Sequence, residues 1–185
     1  MNDWINQIDK TTTEFQQLFN ELSQKDLNWK PTPSTWSIAQ NIDHLIVINK
    51  SYFPILSDLK SGNLKLPFFG KIGFMVSFFG KLILKAVEPS RKKKTKTFSI
   101  WEPSKSNISG NILAQFSTHQ EELKQKILDA KDLIKEGAII YSPANKNIVY
   151  KLETAFDVIA IHEQRHLEQA KEVLSQLKKI NIDSL

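Results

Sequence analysis

The sequence predicts an all-α protein, an antiparallel four-helix bundle of up-and-down type, with an extra basic and aromatic segment between the second and third helices. Three observations support this: four long stretches whose apolar residues recur at spacings of three and four, no convincing strand alternation, and polar or proline-bearing breaks between the stretches. A helix with one apolar stripe does not hold alone in water, so four such stripes ask to be buried against one another. With 185 residues, 41% of them apolar and 24% charged, the chain is long enough for one good core and short for two. Residues 1–185 are therefore expected as a single domain.

The first helix is expected over about residues 3–24, where Trp4, Ile5, Ile8, Thr12, Phe15, Leu18, Phe19 and Leu22 keep helical spacing. "NWKPTPSTW" then breaks the chain, because each proline pushes its predecessor out of the helical region. The second helix begins sharply at "SIAQ": Ser37 can cap the Gln40 amide while the Gln40 side chain reaches back. Its stripe runs through Ile38, Ile42, Leu45, Ile48 and Ile55 to about Leu59.

After "SGN" comes the extra segment, at about 64–96. If Lys71 to Lys85 is helical, Lys71, Lys81 and Lys85 fall within about 80° of one another, with Gly73 and Gly80 nearly opposite on a smooth face. Such a helix reads as a cover, a lid, a lipid-facing surface or a dimer contact. The third helix spans about 109–135, with Ile112, Phe116, Leu123, Ile127 and Ile134 on its stripe and Gly137 as a closing glycine. "IIYSPANKNIVY" reads as a connector holding a short apolar piece. The fourth helix covers about 151–179, its stripe formed by Leu152, Ala155, Phe156, Ile159, Ala170, Val173, Leu174 and Leu177.

Composition narrows the chemistry. There is no cysteine, which removes disulfides, thiolate ligands and a cysteine nucleophile, so any metal must bind nitrogen or oxygen. The start "MNDWINQIDK" has neither a basic cluster nor an apolar run and does not read as a secretion signal, leaving a cytoplasmic address by default. In the extra segment the longest uncharged run, Ile72 to Gly80, is far below the roughly 20 apolar residues that cross a bilayer. The net charge is +5, yet Lys65 to Lys96 carries nine basic residues against Glu88 alone, a local +8 that leaves −3 elsewhere. A charge block beside aromatic residues can meet an anionic membrane surface, an acidic partner or a phosphate backbone. Nucleic acid is the least favoured of these, since the basic residues form no recognition helix or stacking platform.

The histidines carry the functional signal. His162 stands three beyond Ile159, and His166 four beyond His162 and four before Ala170, so both lie along the core-facing stripe with β-carbons roughly 6 Å apart. Two neutral imidazoles buried side by side need two sets of partners, and a shared ion accounts for the arrangement. His44, three before Val47 and four before Ile48, falls on or beside the apolar face of the second helix and is the candidate third ligand. Three nitrogens leave positions open for water or substrate, as catalytic zinc does. His119, three beyond Phe116 and four before Leu123, is a candidate fourth ligand or proton shuttle. Gln169, three beyond His166, is a candidate support for a ligand histidine or a bound water. Asp43 and Glu163 adjoin the histidines but project about 100° away, so no general base or other catalytic residue is assigned.

Together, "WSIAQNIDHL" early and "HEQRHLEQ" late resemble the DinB-like superfamily, which includes the YfiT-like proteins, over about residues 5–177. The resemblance implies a four-helix bundle, a metal triad of His44, His162 and His166, and Trp36 marking the entry to the second helix. Compact members have a shorter connection where this chain carries its extra segment, which implies a covered or reshaped site mouth. Activities among related proteins include glutathione-, mycothiol- and bacillithiol-dependent transfer or isomerisation, and hydrolysis.

The expected function is that of a metal-dependent enzyme, a thiol-dependent transferase or a hydrolase, acting on a small, partly apolar substrate. Its cofactors would be one divalent transition metal, zinc or nickel ahead of iron, and a low-molecular-weight thiol. Phe68, Phe69, Phe74, Phe78 and Phe79 could exclude water above the site. The alternative is a non-catalytic interaction or membrane-surface module working through the basic aromatic segment, with self-association as a dimer a further expectation for that surface.

Overall fold

The computed structural model describes residues 3–88, 97–103 and 107–183. Among them are seven α-helices and one two-stranded sheet: α1 Trp4–Phe19, α2 Gln24–Asn28, α3 Ile38–Lys60, α4 Gly73–Val87, α5 Ile112–Asp129, α6 Lys131–Lys135, β1 Ile139–Ser142, β2 Asn145–Lys151 and α7 Leu152–Asp183. Short 3-10 turns occupy Phe68–Lys71 and Ser99–Trp101. The basic block Arg91, Lys92, Lys93, Lys94 and Lys96 lies outside the described residues.

Local signals act where the chain chemistry puts them. At the start of α3, the Ser37 hydroxyl accepts the Gln40 amide at 3.1 Å and the Gln40 carboxamide oxygen accepts the Ser37 amide at 3.2 Å, a reciprocal capping box. Gly137 closes α6 with φ 70°, a left-handed conformation that costs glycine nothing. Two expected helices are each split. The first ends at Phe19 because Ser23 starts a new helix, its side chain accepting the Asp26 amide in competition with helix continuation. The third ends at Asp129, where the Ala130 amide tightens onto the Ile127 carbonyl before α6 resumes.

The connector at 139–150 is a β-hairpin, a correction to the reading without strands. β1 pairs antiparallel with β2 in the register Ile140↔Tyr150 and Tyr141↔Val149, with an irregularity between Tyr141 and Ser142. Ile139, Ile140, Tyr141, Ile148, Val149 and Tyr150 are β-branched or aromatic and suit a pleated, half-buried surface. The signal was weak because the turn is Pro143-Ala144, without the Asn-Gly or Asp-Gly pair that marks a tight hairpin, and β1 is only four residues long.

The four long helices, α1, α3, α5 and α7, meet in a closed circuit: α1 against α5 and α7, and α3 against α5 and α7. Their order differs from a consecutive up-and-down path. Trp4 bonds Asp157 while Glu14 meets Lys171, so α1 and α7 run the same way. Asp9 meets Lys124 while Gln16 bonds Ser117, so α1 and α5 run oppositely. Asn41 bonds His166 while Asn49 bonds Glu163, so α3 opposes α7 and runs with α5. Parallel neighbours need a long return, and the stretch from Ser61 to Asn111 supplies it.

Two apolar clusters fill the interior. One gathers Trp4, Ile8, Ile48, Tyr52, Leu123, Phe156 and Ile159; the other gathers Phe15, Phe19, Ile38, Ile42, Phe116, Leu167 and Val173. Where the clusters meet, every long helix carries polar side chains: Thr11 on α1, His44 and Asn49 on α3, His119 and Gln120 on α5, and His162, Glu163 and His166 on α7. A polar layer therefore crosses the waist of the core. Buried polar groups are costly unless paired, so this layer is where function is to be sought.

Between α3 and α5, α4 packs on β2 and α7. Val76 and Gly80 form its buried face, and a β-carbon at Gly80 would meet Thr154 at 3.5 Å. Gly73, expected on the same smooth face, has nothing within 4 Å. Phe68, Phe69, Phe74 and Phe78 are exposed and Phe79 is half-buried.

Candidate metal centre

His44 enters the waist from α3, and His162 and His166 enter from α7. One nitrogen from each ring lies within 4.8 Å of the others, the mutual distance expected of ligands around a single ion. His44 and His166 are buried, while His162 keeps partial exposure and forms the open side. The Nε2 atoms of His162 and His166 stand 3.1 Å apart, and the His44 ring centre is 4.7 Å from that of His166.

The protonation of two of the rings follows from their partners. The Nδ1 of His44 meets the main-chain carbonyl of Trp101 at 2.5 Å. A carbonyl only accepts, so this Nδ1 carries the proton and Nε2 presents its lone pair. The Nδ1 of His166 meets Asn41 Oδ1 at 2.7 Å. Asn41 is itself oriented, since its Nδ2 donates to the Ser37 carbonyl at 2.9 Å, which leaves Oδ1 to accept from His166. Both rings are thus held in one tautomer by outer partners, the arrangement that orients metal-binding histidines.

Electrostatics favour the neutral form throughout. Burial pushes all three imidazoles below the usual histidine value, and for His162 and His166 the neighbouring rings and Arg165 push further in the same direction. For His44 the Trp101 carbonyl and Asp43 oppose this, but burial prevails. Neutral imidazole is the metal-binding form, so no proton need be displaced near neutral pH from a histidinium. Trp36 covers the cluster: its ring lies 4.8 Å from His44 and 5.8 Å from His166, nearly parallel to the latter.

The connection between α3 and α5 touches the centre at two points. Trp101 in the second 3-10 turn supplies the carbonyl to His44, and its indole nitrogen donates to Ser51 at 3.0 Å. Arg165, between the two α7 histidines, donates to the Ala86 carbonyl near the end of α4 at 3.0 Å.

Other members of the waist stand apart from the cluster. Glu163 is fully buried on a different side of α7, where Asn49 Nδ2 and Gln120 Nε2 each donate to its carboxylate at 2.8 Å. Burial raises its pKa to about 7 despite those two bonds. His119 does not join the three histidines. It stacks on Phe53 with ring centres 5.6 Å apart, both ring nitrogens lack a hydrogen-bond partner, and it lines a groove with Lys50, Thr118 and Glu122. Gln169 is half-buried one turn past His166 and hydrogen-bonds to none of the three rings. The groups that do orient the rings, Asn41 and the Trp101 carbonyl, were missed by sequence reasoning. Asn41 had a usable signal, lying three before His44 on the same helix face. A main-chain carbonyl 57 residues away had none.

The chain is 26% identical over 162 residues to the uncharacterized protein YuaE of Bacillus subtilis (strain 168), an overlap covering 85% of this chain and 89% of that protein. No solved structure matches. The sequence profile of the DinB superfamily matches residues 7–170, a range that contains all three clustered histidines and Trp36, and the chain belongs to that superfamily.

Proposed function

We propose that His44, His162 and His166 hold one divalent transition metal, zinc, nickel or iron, in a four-helix bundle frame, and that the protein is a thiol-dependent transferase or a hydrolase. The observation that supports this most directly is that two of the three rings have their Nδ1 protons tied to fixed acceptors, leaving Nε2 lone pairs for a common centre. A bound divalent ion would supply Lewis acidity, bringing the pKa of a thiol or water toward neutrality. Asn41 and the Trp101 carbonyl then serve to hold ligand geometry, and Trp36 limits access of bulk water to one side. Nitrogen donors disfavour calcium and magnesium, which prefer oxygen.

The substrate in this reading is small and partly apolar, reaching the open side of the cluster at His162. Element analysis of protein purified without an affinity tag is expected to find about one metal per chain, falling toward zero in His162→Ala. Equal metal content in the two proteins would refute the site. Metal-loaded protein assayed against a panel of electrophiles with glutathione, with bacillithiol and without thiol then separates transfer from hydrolysis. Turnover by His44→Ala as fast as the parent would refute the catalytic reading while leaving the binding site standing.

A further inference from the structure

Exposed apolar surface is concentrated in one part of the molecule. Of ten large hydrophobic side chains exposed among the described residues, seven fall between Phe68 and Ile100. On α4 they form a row, Phe74 at 73% exposure, Phe78 at 56% and Leu82 at 54%, spaced by four and therefore stacked along one side. Lys81 and Lys85 are exposed within the same arc of about 100° at helical spacing. The opposite side, Val76 and Gly80, is already buried against β2 and α7. Just before α4, Phe68 adds a further side chain at 71% exposure, with Lys65 and Lys71 exposed beside it.

We infer that this outer face of α4 docks the protein on an anionic lipid surface, with the helix lying in the plane of the interface. A phenylalanine and leucine row bordered by lysines matches a bilayer surface chemically: the apolar rings enter the acyl boundary while the ammonium groups meet the headgroup charge. No acidic residue occurs on α4. The stretch that follows in the sequence, 89–96, holds five lysine or arginine residues and no large apolar side chain, so its composition does not suit the covering of Phe74 and Phe78. A second copy of the chain fits less well. A two-fold contact through this face would gather Lys81 and Lys85 of both copies into one apolar seam, where like charges repel. Spanning is not at issue, since no helix among the described residues is long and apolar enough to cross a membrane. This inference does not rest on the metal reading.

The test is co-sedimentation of the full chain with vesicles of phosphatidylcholine alone and of equimolar phosphatidylcholine and phosphatidylglycerol. Binding is expected to the second kind and to weaken as salt is raised. Replacing Phe74, Phe78 or Leu82 by serine should lower partitioning about tenfold each, and replacing Lys81 or Lys85 by glutamine about fivefold each. All five side chains are exposed, so far-ultraviolet circular dichroism should match the parent. The inference is overturned by parent-like binding of the triple serine variant, or by no binding to either vesicle. It is equally overturned if sedimentation velocity shows a dimer that the serine substitutions dissolve while vesicles are ignored.

Discussion

Replacing His119 by leucine should stabilise the protein, and by an amount that grows as the solution is acidified. In the folded chain this ring is buried, stacked on Phe53, and neither nitrogen finds a hydrogen-bond partner. Burial first, and the positive charge of Lys50 second, lower its pKa from 6.5 to about 4. A depressed value means that the folded state keeps the ring neutral while the unfolded chain takes up a proton. Stability attributable to this group is therefore whole above the unfolded value of 6.5 and is lost as pH falls toward about 4. At roughly 1.36 kcal/mol per unit, the loss reaches about 2 kcal/mol between about pH 7 and pH 5. Leucine cannot titrate, and at neutral pH it also relieves an unpaired N–H, worth about 1 to 3 kcal/mol. Urea unfolding of parent and variant at several pH values, in the presence of chelator, isolates the effect, since the other histidines contribute equally to both. The variant should lead at neutral pH and its lead should widen by about 2 kcal/mol on acidification to about pH 5. Parallel pH dependences would show that the imidazole is solvated or paired in the folded protein and would refute the reasoning.

Asn41→Ala should lower metal affinity by about 10- to 100-fold without unfolding the protein, because it removes the acceptor that fixes the His166 tautomer; competition with a chromophoric chelator measures this. Tyr52→Phe should cost about 0.5 to 1.5 kcal/mol in urea, because the Tyr150 hydroxyl 2.9 Å away loses one of its two partners in the core and keeps Ser142. Gly80→Ala should raise stability by about 0.5 to 1 kcal/mol, since a β-carbon there makes only ordinary contact with Thr154 at 3.5 Å while the helix gains propensity. Destabilisation of α4 by that alanine, detected as faster amide exchange, would mean the close approach is tighter than the contact distance allows.

Periodicity made the long helices legible because each buries one stripe, and the capping box at Ser37 and Gln40 marked the start of α3 to the residue. The three clustered histidines were legible for the same reason: their spacing along apolar stripes points them inward. What periodicity does not carry is direction in space. Nothing in the stripes of α3 and α5 says that they run the same way; that follows from the length of chain between them. Aromatic character did not say which side of α4 is buried: Val76 and Gly80 make the contact, while Phe74 and Phe78 face outward. Gln169 was chosen for nearness in sequence to His166, but the partner of that ring comes from the facing helix.

The two ring supports differ in how they respond to change. Asn41 offers a side chain, so a single substitution deletes its bond to His166 and an alanine scan will report it. Trp101 offers its peptide oxygen, and that bond to His44 survives any replacement of the side chain that leaves the backbone in place. Side-chain deletion therefore removes one support directly and the other only through the backbone it displaces. The latter is reached only indirectly, by whatever displaces the stretch around Ser99–Trp101: an insertion or deletion there, or loss of the Trp101 indole that anchors it to Ser51, which makes the placement of that backbone the variable through which the orientation of His44 is tuned.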